Sequence, residues 1–264
     1  MKLQLRIKVL LLSLIRFFSR KKIIVSLTSY PDRYETLHLV IQSLLCQQLK
    51  PSKIILYLYD GEAELLPESL TSLQSGRFQI VRVNENIKPH KKYYYAFKDY
   101  PNDLIITVDD DYIYSCDLVL NLYRKHLSHR DKIVCGRSRE IQLNEKGELL
   151  PYNEWPICYS DNKVGMNLLA TGVGGVLYSP KLLDERVFDI EAIKSLALNQ
   201  DDLWLKIMEV LKRTKTVPVT VDWSKARPLT SESSLFSVNV TGENDVCFHK
   251  LMEHYRISEN MFQN

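Results

Sequence analysis

Short apolar runs that alternate with helical patterns constrain the fold of this 264-residue chain more than any other feature. Four runs rich in β-branched residues are typical of strands: KIIVSLTSY, KIILYLYDG, FQIVRVN and LIITV. The segments between them, 36–48, 67–73 and 91–100, favour helices. Alternation of this kind predicts an α/β fold, a single domain with a mostly parallel central sheet flanked by helices.

The second half of the chain shows a looser pattern. Residues 132–143 predict one strand, the glycine-rich stretch TGVGGVLYS leads into another, and residues 201–213 predict a helix. No internal repeat and no long linker interrupts the chain, so we expect one catalytic unit over residues 22–256 whose second half completes the site. Residues 257–264 are expected to form a polar C-terminal tail.

Residues 1–21 differ from the rest of the chain in charge. Residues 1–22 carry seven Lys or Arg and no Asp or Glu, whereas the remainder carries 28 basic and 32 acidic residues. The apolar run from Val9 to Ile15 is shorter than the roughly 20 residues that span a bilayer. This pattern favours a basic amphipathic helix lying on an anionic membrane surface over a helix packed on the domain.

Composition excludes several classes of protein. The values of 45% hydrophobic and 25% charged residues are those of a globular protein, and the mildly acidic body is not a nucleic-acid-binding surface. Five widely spaced cysteines without a CxxC pair argue against structural zinc and against a disulfide framework. A reduced, cytoplasmic location follows, with peripheral contact at the inner face of the cytoplasmic membrane if the N-terminal helix binds lipid.

The fourth strand runs directly into three carboxylates, Asp109, Asp110 and Asp111. Two such charges about 4 Å apart repel by about 4 kcal/mol at an effective dielectric constant of about 20, so a cation is expected nearby unless the cluster faces water. Alternation along a strand would place Asp109 and Asp111 on one face and Asp110 on the other. That pair suits a hard divalent cation; the alternative is an exposed acidic turn.

A second acidic pair, Asp201 and Asp202, opens the predicted helix over residues 201–213. One aspartate suffices as a helix cap, which leaves the other free to act as a general base. Taken alone, Lys92 is more typical of a solvated helix face, and the glycines near residue 174 are more typical of a tight turn or bulge.

Four stretches in this order resemble the bacterial, family-two-like inverting glycosyltransferases of the GT-A type that assemble surface polysaccharides. They are VSLTSYPDR at 25–33, HKKYYYAFKDYPNDLIITVDDD at 90–111, GVGGVLYSP at 172–180 and DDLWLK at 201–206. The resemblance implies a Rossmann-like GT-A domain and a hexosyltransferase. It also implies a nucleotide-sugar donor, most commonly a UDP-sugar, Mn²⁺ or Mg²⁺ as cofactor, and a glycan or lipid-linked acceptor.

The resemblance also implies roles for individual residues. Asp202 is the expected catalytic base, with Asp201 as the second choice, and Asp111 and Asp109 are the expected metal ligands, with His249 as a candidate third. The residues expected to bind the nucleotide sugar are Thr28, Tyr30, Arg33, Asp60, Lys92, Asp109, Asp110, Gly174 and Gly175.

Two rival interpretations remain from the sequence. A phosphatase of the haloacid dehalogenase type also uses a strand followed by Asp-x-Asp, but its nucleophile normally follows the first strand, and three strands precede Asp109 here. A non-catalytic binding protein on a transferase fold is the other rival, although every acidic position that the mechanism needs is filled.

Overall fold

Twelve strands and eight α-helices make up the part of the chain that this computed structural model describes, residues 22–159, 162–229 and 242–263. The strands are β1 (Ile23–Thr28), β2 (Lys53–Tyr59), β3 (Phe78–Val83), β4 (Leu104–Thr107), β5 (Tyr112–Ile113), β6 (Ile133–Cys135), β7 (Ser138–Glu140), β8 (Ile157–Cys158), β9 (Leu168–Ala170), β10 (Val176–Tyr178), β11 (Thr216–Pro218) and β12 (Arg227–Pro228). The helices are α1 (Tyr34–Leu45), α2 (Asp60–Ala63), α3 (Glu68–Thr71), α4 (Lys91–Asp99), α5 (Leu118–Ser128), α6 (Ile190–Leu196), α7 (Asp201–Lys212) and α8 (Asn244–Tyr255).

The central sheet has seven strands in the order β11–β6–β10–β4–β1–β2–β3. Strands β1 to β4 pair in parallel, as do β6 and β11, whereas β10 is antiparallel to both β4 and β6. The prediction of a mostly parallel sheet in an α/β domain is therefore confirmed. Two small sheets, β5 with β12 and β7 with β8 and β9, lie beside it.

Alternate residues of the central strands build two separate cores, one on each face of the sheet. Ile24 and Ile105 pack on the side that holds α4 and α7, whereas Val25 and Ile106 pack on the side that holds α1 and α5. All four side chains are fully buried, as expected for parallel strands covered by helices on both faces. Trp155 and Trp204 are also buried, and the five cysteines are free.

The strand predicted over residues 132–143 is two strands that belong to different sheets. Gly136 separates β6 from β7 at a point where two backbones meet closely. A Cβ on Gly136 would lie 2.2 Å from the carbonyl oxygen of Gly174, so only glycine fits this contact. The strand propensity of residues 132–143 does not indicate that the chain passes from one sheet to another at Gly136.

The C-terminal segment packs against the domain. Ile257 and Phe262 lie in the segment expected to be a polar tail, yet both are buried, and the ring of Phe262 lies 5.5 Å from that of Phe248. The packed part of the chain thus continues through Phe262.

The predicted amphipathic helix over residues 1–21 lies outside the described residues, and within the described ranges no helix is long and apolar enough to cross a membrane.

Candidate active site

The three aspartates of the acidic cluster lie just beyond β4, at the edge of the sheet where β1, β2 and β4 also end. The predicted alternation of Asp109 and Asp111 against Asp110 is wrong because β4 stops at Thr107, and the chain bends at Asp110 and Asp111. Asp110 and Asp111 instead share one cation, and Asp109 has another. The expectation of a cation near the cluster is confirmed.

Arg33 is the cation shared by the second and third aspartates. Its Nη1 lies 3.2 Å from Oδ1 of Asp110 and 2.7 Å from Oδ2 of Asp111, and its side chain is only 5% exposed. A 3₁₀ turn over Pro31–Arg33, started by the proline, carries it from the end of β1 into α1. The Ser29 hydroxyl donates to Asp110 at 2.5 Å. Residues after β1 thus hold the cluster that follows β4.

Lys92 is the cation that holds the first aspartate. Its Nζ lies 2.7 Å from Oδ1 of Asp109 and 2.9 Å from Oδ2 of Asp201, at the start of α7. Helix α4 places Lys92 on its inner face, and the side chain is 5% exposed, so the interpretation of a solvated lysine is wrong. The two acidic motifs of the sequence therefore meet at one ammonium group.

The aspartates that begin α7 have different surroundings. Asp201 is buried against Lys92, whereas Asp202 is partly exposed and accepts hydrogen bonds from the backbone N–H of Gly172 at 3.1 and 3.2 Å. Their position at a helix N-terminus also favours negative charge. Of the two residues, Asp202 is the more exposed.

Burial and crowding change the protonation of these groups. Burial raises the pKa of Asp110 to about 6, although Arg33 opposes the shift, and burial also raises the pKa of Asp109. Burial and the charge of Asp201 raise the pKa of Asp202 well above its usual value. Burial alone would lower the pKa of Lys92, but Asp109, Asp201 and Asp202 together raise it well above its usual value. A carboxylate with a raised pKa is suited to proton transfer.

The glycine that contacts the acidic cluster is Gly172, whereas Gly174 and Gly175, which are expected to bind the nucleotide sugar, contact other residues. A Cβ on Gly172 would lie 2.5 Å from Oδ1 of Asp109. Gly174 packs against the backbone of Arg137, where a Cβ would lie 2.4 Å from the amide nitrogen, and Gly175 has a φ of +72°. The latter two glycines shape the entry to β10, and Gly172 lets the backbone approach the carboxylates.

Three predicted nucleotide-binding residues lie at the same edge without joining the cluster directly. Thr28 donates its hydroxyl to the carbonyl of Tyr57 at 2.7 Å, and Tyr30 accepts from Nε of Arg33 at 3.1 Å. Asp60 begins α2 at the end of β2, is 57% exposed and lies 3.4 Å from Arg82. All three residues lie at or just beyond the carboxyl ends of β1 and β2.

The carboxylates fit a hard divalent cation with few protein ligands. Among the described residues, the five carboxyl groups of residues 109–111, 201 and 202 form ion pairs with only two cations, Arg33 and Lys92. Within the described ranges no three His, Cys, Asp or Glu side chains surround a common point, and His249 is exposed on α8 rather than grouped with Asp109 and Asp111. One or two carboxylates completed by substrate phosphates are a common way to hold Mg²⁺.

Two contributors to the site escaped prediction. The hydroxyl of Tyr114 accepts from the backbone N–H of Asp109 at 2.8 Å and so holds the turn beyond β4, and Ser29 binds Asp110 as described above. Ser29 lies inside the stretch VSLTSYPDR, and Tyr114 lies three residues after Asp111. Their polarity next to an acidic cluster was the available signal.

The sheet order, the acidic cluster beyond β4 and the acidic pair at α7 define the GT-A class of fold. The chain belongs to glycosyl transferase family 2, whose pattern its residues 23–188 match. The expected GT-A glycosyltransferase is thereby confirmed at the level of the family and fold. A comparison with curated proteins finds no significant match.

Solved structures with the same fold are distant in sequence. A 4-diphosphocytidyl-2C-methyl-D-erythritol synthase from Anaerococcus prevotii is 14% identical with a TM-score of 0.53, and the match covers 83% of this chain and 97% of that one. A mannosyltransferase from Pyrobaculum calidifontis, in complex with GDP-Man and Mn²⁺, is 8% identical with a TM-score of 0.53. That match covers 90% of this chain and 65% of the mannosyltransferase.

Proposed function

We propose that this family 2 enzyme is a metal-dependent, inverting glycosyltransferase that moves a hexose from a nucleotide-diphosphate donor to a hydroxyl of a glycan or lipid-linked acceptor. The observation that carries the proposal is the meeting of the two acidic motifs: Asp109 and Asp201 lie 2.7 and 2.9 Å from the same ammonium group of Lys92. A donor bound at the cluster beyond β4 would therefore lie next to a carboxylate at the start of α7.

Asp202 is the proposed general base. The residue is partly exposed, and the Gly172 N–H orients its carboxylate through two hydrogen bonds. Its raised pKa favours acceptance of the proton from the acceptor hydroxyl. The hydroxyl oxygen then attacks the anomeric carbon from the face opposite the diphosphate. The bond to the diphosphate breaks, the nucleoside diphosphate leaves, and the sugar is joined to the acceptor oxygen with inverted configuration. No covalent intermediate with the enzyme is required.

Asp109 and Asp111 are the proposed protein ligands of Mn²⁺ or Mg²⁺. Their side chains are 30% and 31% exposed, more than that of Asp110 at 13%. The bound cation would offset the negative charge that develops on the departing diphosphate. Arg33 already pairs with Asp110 and Asp111 and offsets part of their repulsion, so it helps to hold this part of the cluster in place before the donor binds.

The donor base and the acceptor are inferred from resemblance. A UDP-sugar is the donor proposed here, while the mannosyltransferase structure with GDP-Man makes a guanosine donor the first alternative to test. A lipid-linked acceptor of surface-polysaccharide assembly at the cytoplasmic membrane would suit the seven basic residues of the segment 1–22. A role as a haloacid-dehalogenase-type phosphatase is disfavoured by the family match and by β1 to β3, which precede the acidic strand.

Titration calorimetry tests the donor site. Wild-type protein and Asp111→Ala are titrated with UDP, with and without Mn²⁺, and Asp131→Ala serves as a control because Asp131 is 77% exposed and pairs with Lys132. We expect metal-dependent binding in the wild type and the control, and none in Asp111→Ala. If folded wild-type protein binds neither UDP, GDP nor TDP, the proposal is wrong. Binding without turnover of any nucleotide sugar would favour the non-catalytic binding protein.

A further inference from the structure

Lys92 is placed between residues of two different motifs. Its Nζ contacts Asp109, which follows β4, and Asp201, which begins α7. Its backbone is also fixed, because the Ser26 hydroxyl of β1 donates to the Lys92 carbonyl oxygen. One residue of α4 thus connects the central sheet to the helix that carries the proposed base.

The surroundings of the ammonium group leave little room for a ligand. Lys92 is 4% exposed, and a Cβ on Gly172 would lie 3.0 Å from its Nζ, so the backbone of Gly172 covers the ion pair. The contacts with Asp109 and Asp201 and the Gly172 backbone leave a phosphate oxygen little access to the ammonium. Displacing Asp201, whose side chain is only 10% exposed, would leave a buried carboxylate without its cation, which is costly.

We propose that Lys92 is a positioning residue. Its ammonium group bridges Asp109 and Asp201 and thereby fixes helix α7, which carries the proposed base, against the donor-binding cluster. This inference rests on the proposed function, and it replaces the expected contact of Lys92 with the nucleotide sugar. Asp202 follows Asp201 directly, so a shift at the start of α7 moves the base away from the acceptor hydroxyl. Misplacement of a reacting group by about 1 Å can cost about 100-fold in rate.

Lys92→Met tests this role because it keeps most of the length of the unbranched side chain and removes the charge. Lys91→Met is the matched control: Lys91 is equally buried on α4, but its ammonium contacts Asn86 at 3.1 Å and Glu62 at 3.8 Å. For each protein, calorimetry gives the Kd of UDP with Mn²⁺ and the Kd of Mn²⁺ alone. The turnover number kcat is measured as UDP release from UDP-glucose, UDP-galactose or UDP-N-acetylglucosamine, with water as acceptor.

We expect Lys92→Met to lower kcat at least tenfold while the Kd of UDP stays within threefold of the wild-type value. Binding of Mn²⁺ alone should be as tight or tighter, because the cation that competes for Asp109 is gone. A loss of UDP affinity with unchanged kcat would make Lys92 a phosphate ligand and overturn the inference, as would a wild-type kcat. Weaker binding of both probes together with a lower kcat would indicate general damage to the site, which also overturns it.

Asp201→Asn provides a second route if Lys92→Met does not fold. This variant keeps the shape of Asp201 and the pair between Lys92 and Asp109, and it should give the same loss of kcat at unchanged Kd for UDP. Where Lys92→Met folds, the double variant should be no slower than the slower single variant, because both changes break one connection. The inference is contradicted if the loss of kcat in the double variant equals the product of the losses in the two single variants. A wild-type kcat in Asp201→Asn also contradicts it. Failure of the wild type itself to bind UDP, GDP or TDP would instead refute the proposed function.

Discussion

The backbone N–H of Gly172 donates to both carboxylate oxygens of Asp202, at 3.1 and 3.2 Å, while the Cα of the same glycine faces Asp109. One backbone position therefore touches both acidic motifs of the site. It orients the proposed base, and its lack of a side chain leaves space for the carboxylate that follows β4. Substitutions at Gly172 and at the carboxylates it touches should separate these contributions.

Gly172→Ala should disturb the site without unfolding the sheet. The new methyl group would lie 2.5 Å from Oδ1 of Asp109 and 3.0 Å from Nζ of Lys92, so this ion pair must move. We expect at least a tenfold loss of turnover, measured as UDP release. Gly76→Ala is the control, because a Cβ there meets nothing within 4 Å. Equal activity of the two variants would show that the Lys92–Asp109 geometry is not needed.

Asp202→Asn should abolish proton transfer and keep the donor site. Removing a general base typically costs about 100- to 10,000-fold in rate. The amide keeps the shape of Asp202 but cannot take a proton, so kcat should fall by this factor. Calorimetry should show the Kd of UDP with Mn²⁺ unchanged. Retention of more than a third of wild-type turnover would assign the base to another group, with Asp201 the first to test.

Arg33→Met should destabilise the protein because it leaves Asp110 and Asp111 without their shared cation. Removal of one partner of a buried ion pair costs about 3 to 5 kcal/mol. Because Asp111 is 31% exposed, we expect a loss at the lower end of this range, about 3 kcal/mol. Arg82→Met removes an exposed arginine that contacts Asp60 and Glu64 and should change stability little. Urea unfolding of the three proteins measures the difference, and similar midpoints for both variants would contradict it.

His90 should make the stability of the fold depend on pH. It is fully buried between the Tyr93 hydroxyl at 2.8 Å and the Ala197 carbonyl at 2.7 Å, and burial lowers its pKa to about 4. Between pH 6.5 and 4 the unfolded chain binds a proton at this histidine and the folded chain does not, so stability is lost as the pH falls.

The expected loss from His90 is about 2 to 3 kcal/mol between pH 7 and pH 4.5. Urea unfolding at both pH values measures it as the difference between wild type and His90→Gln. The variant should start less stable at pH 7 and lose less on acidification. His38→Gln, in which a partly exposed histidine of α1 is replaced, should follow the wild type. Parallel pH profiles for wild type and His90→Gln would contradict the prediction.

Local sequence patterns predicted the strands β1 to β4, the helices α4 and α7 and the two acidic motifs. Each of these depends on the spacing of apolar residues or on the boundary between a buried strand and a polar turn. The same patterns could not predict that Lys92 joins the motifs, because burial of a lysine depends on residues far away in the chain. Nor could they choose Gly172 over Gly174 and Gly175, since the choice depends on which backbone approaches Asp109.

The reversed direction of β10 has a consequence for how the site can vary. Strands β1, β2 and β4 present their carboxyl ends to the site, whereas β10 presents its beginning, where residue 172 lies. The segment before β10 therefore contributes a main-chain N–H, that of Gly172, to the site, whereas the segment after β4 contributes acidic side chains. No amino-acid replacement other than proline can delete that amide from position 172. The partner of Asp202 is thus a property of the topology, and mutation can shift it but can seldom remove it.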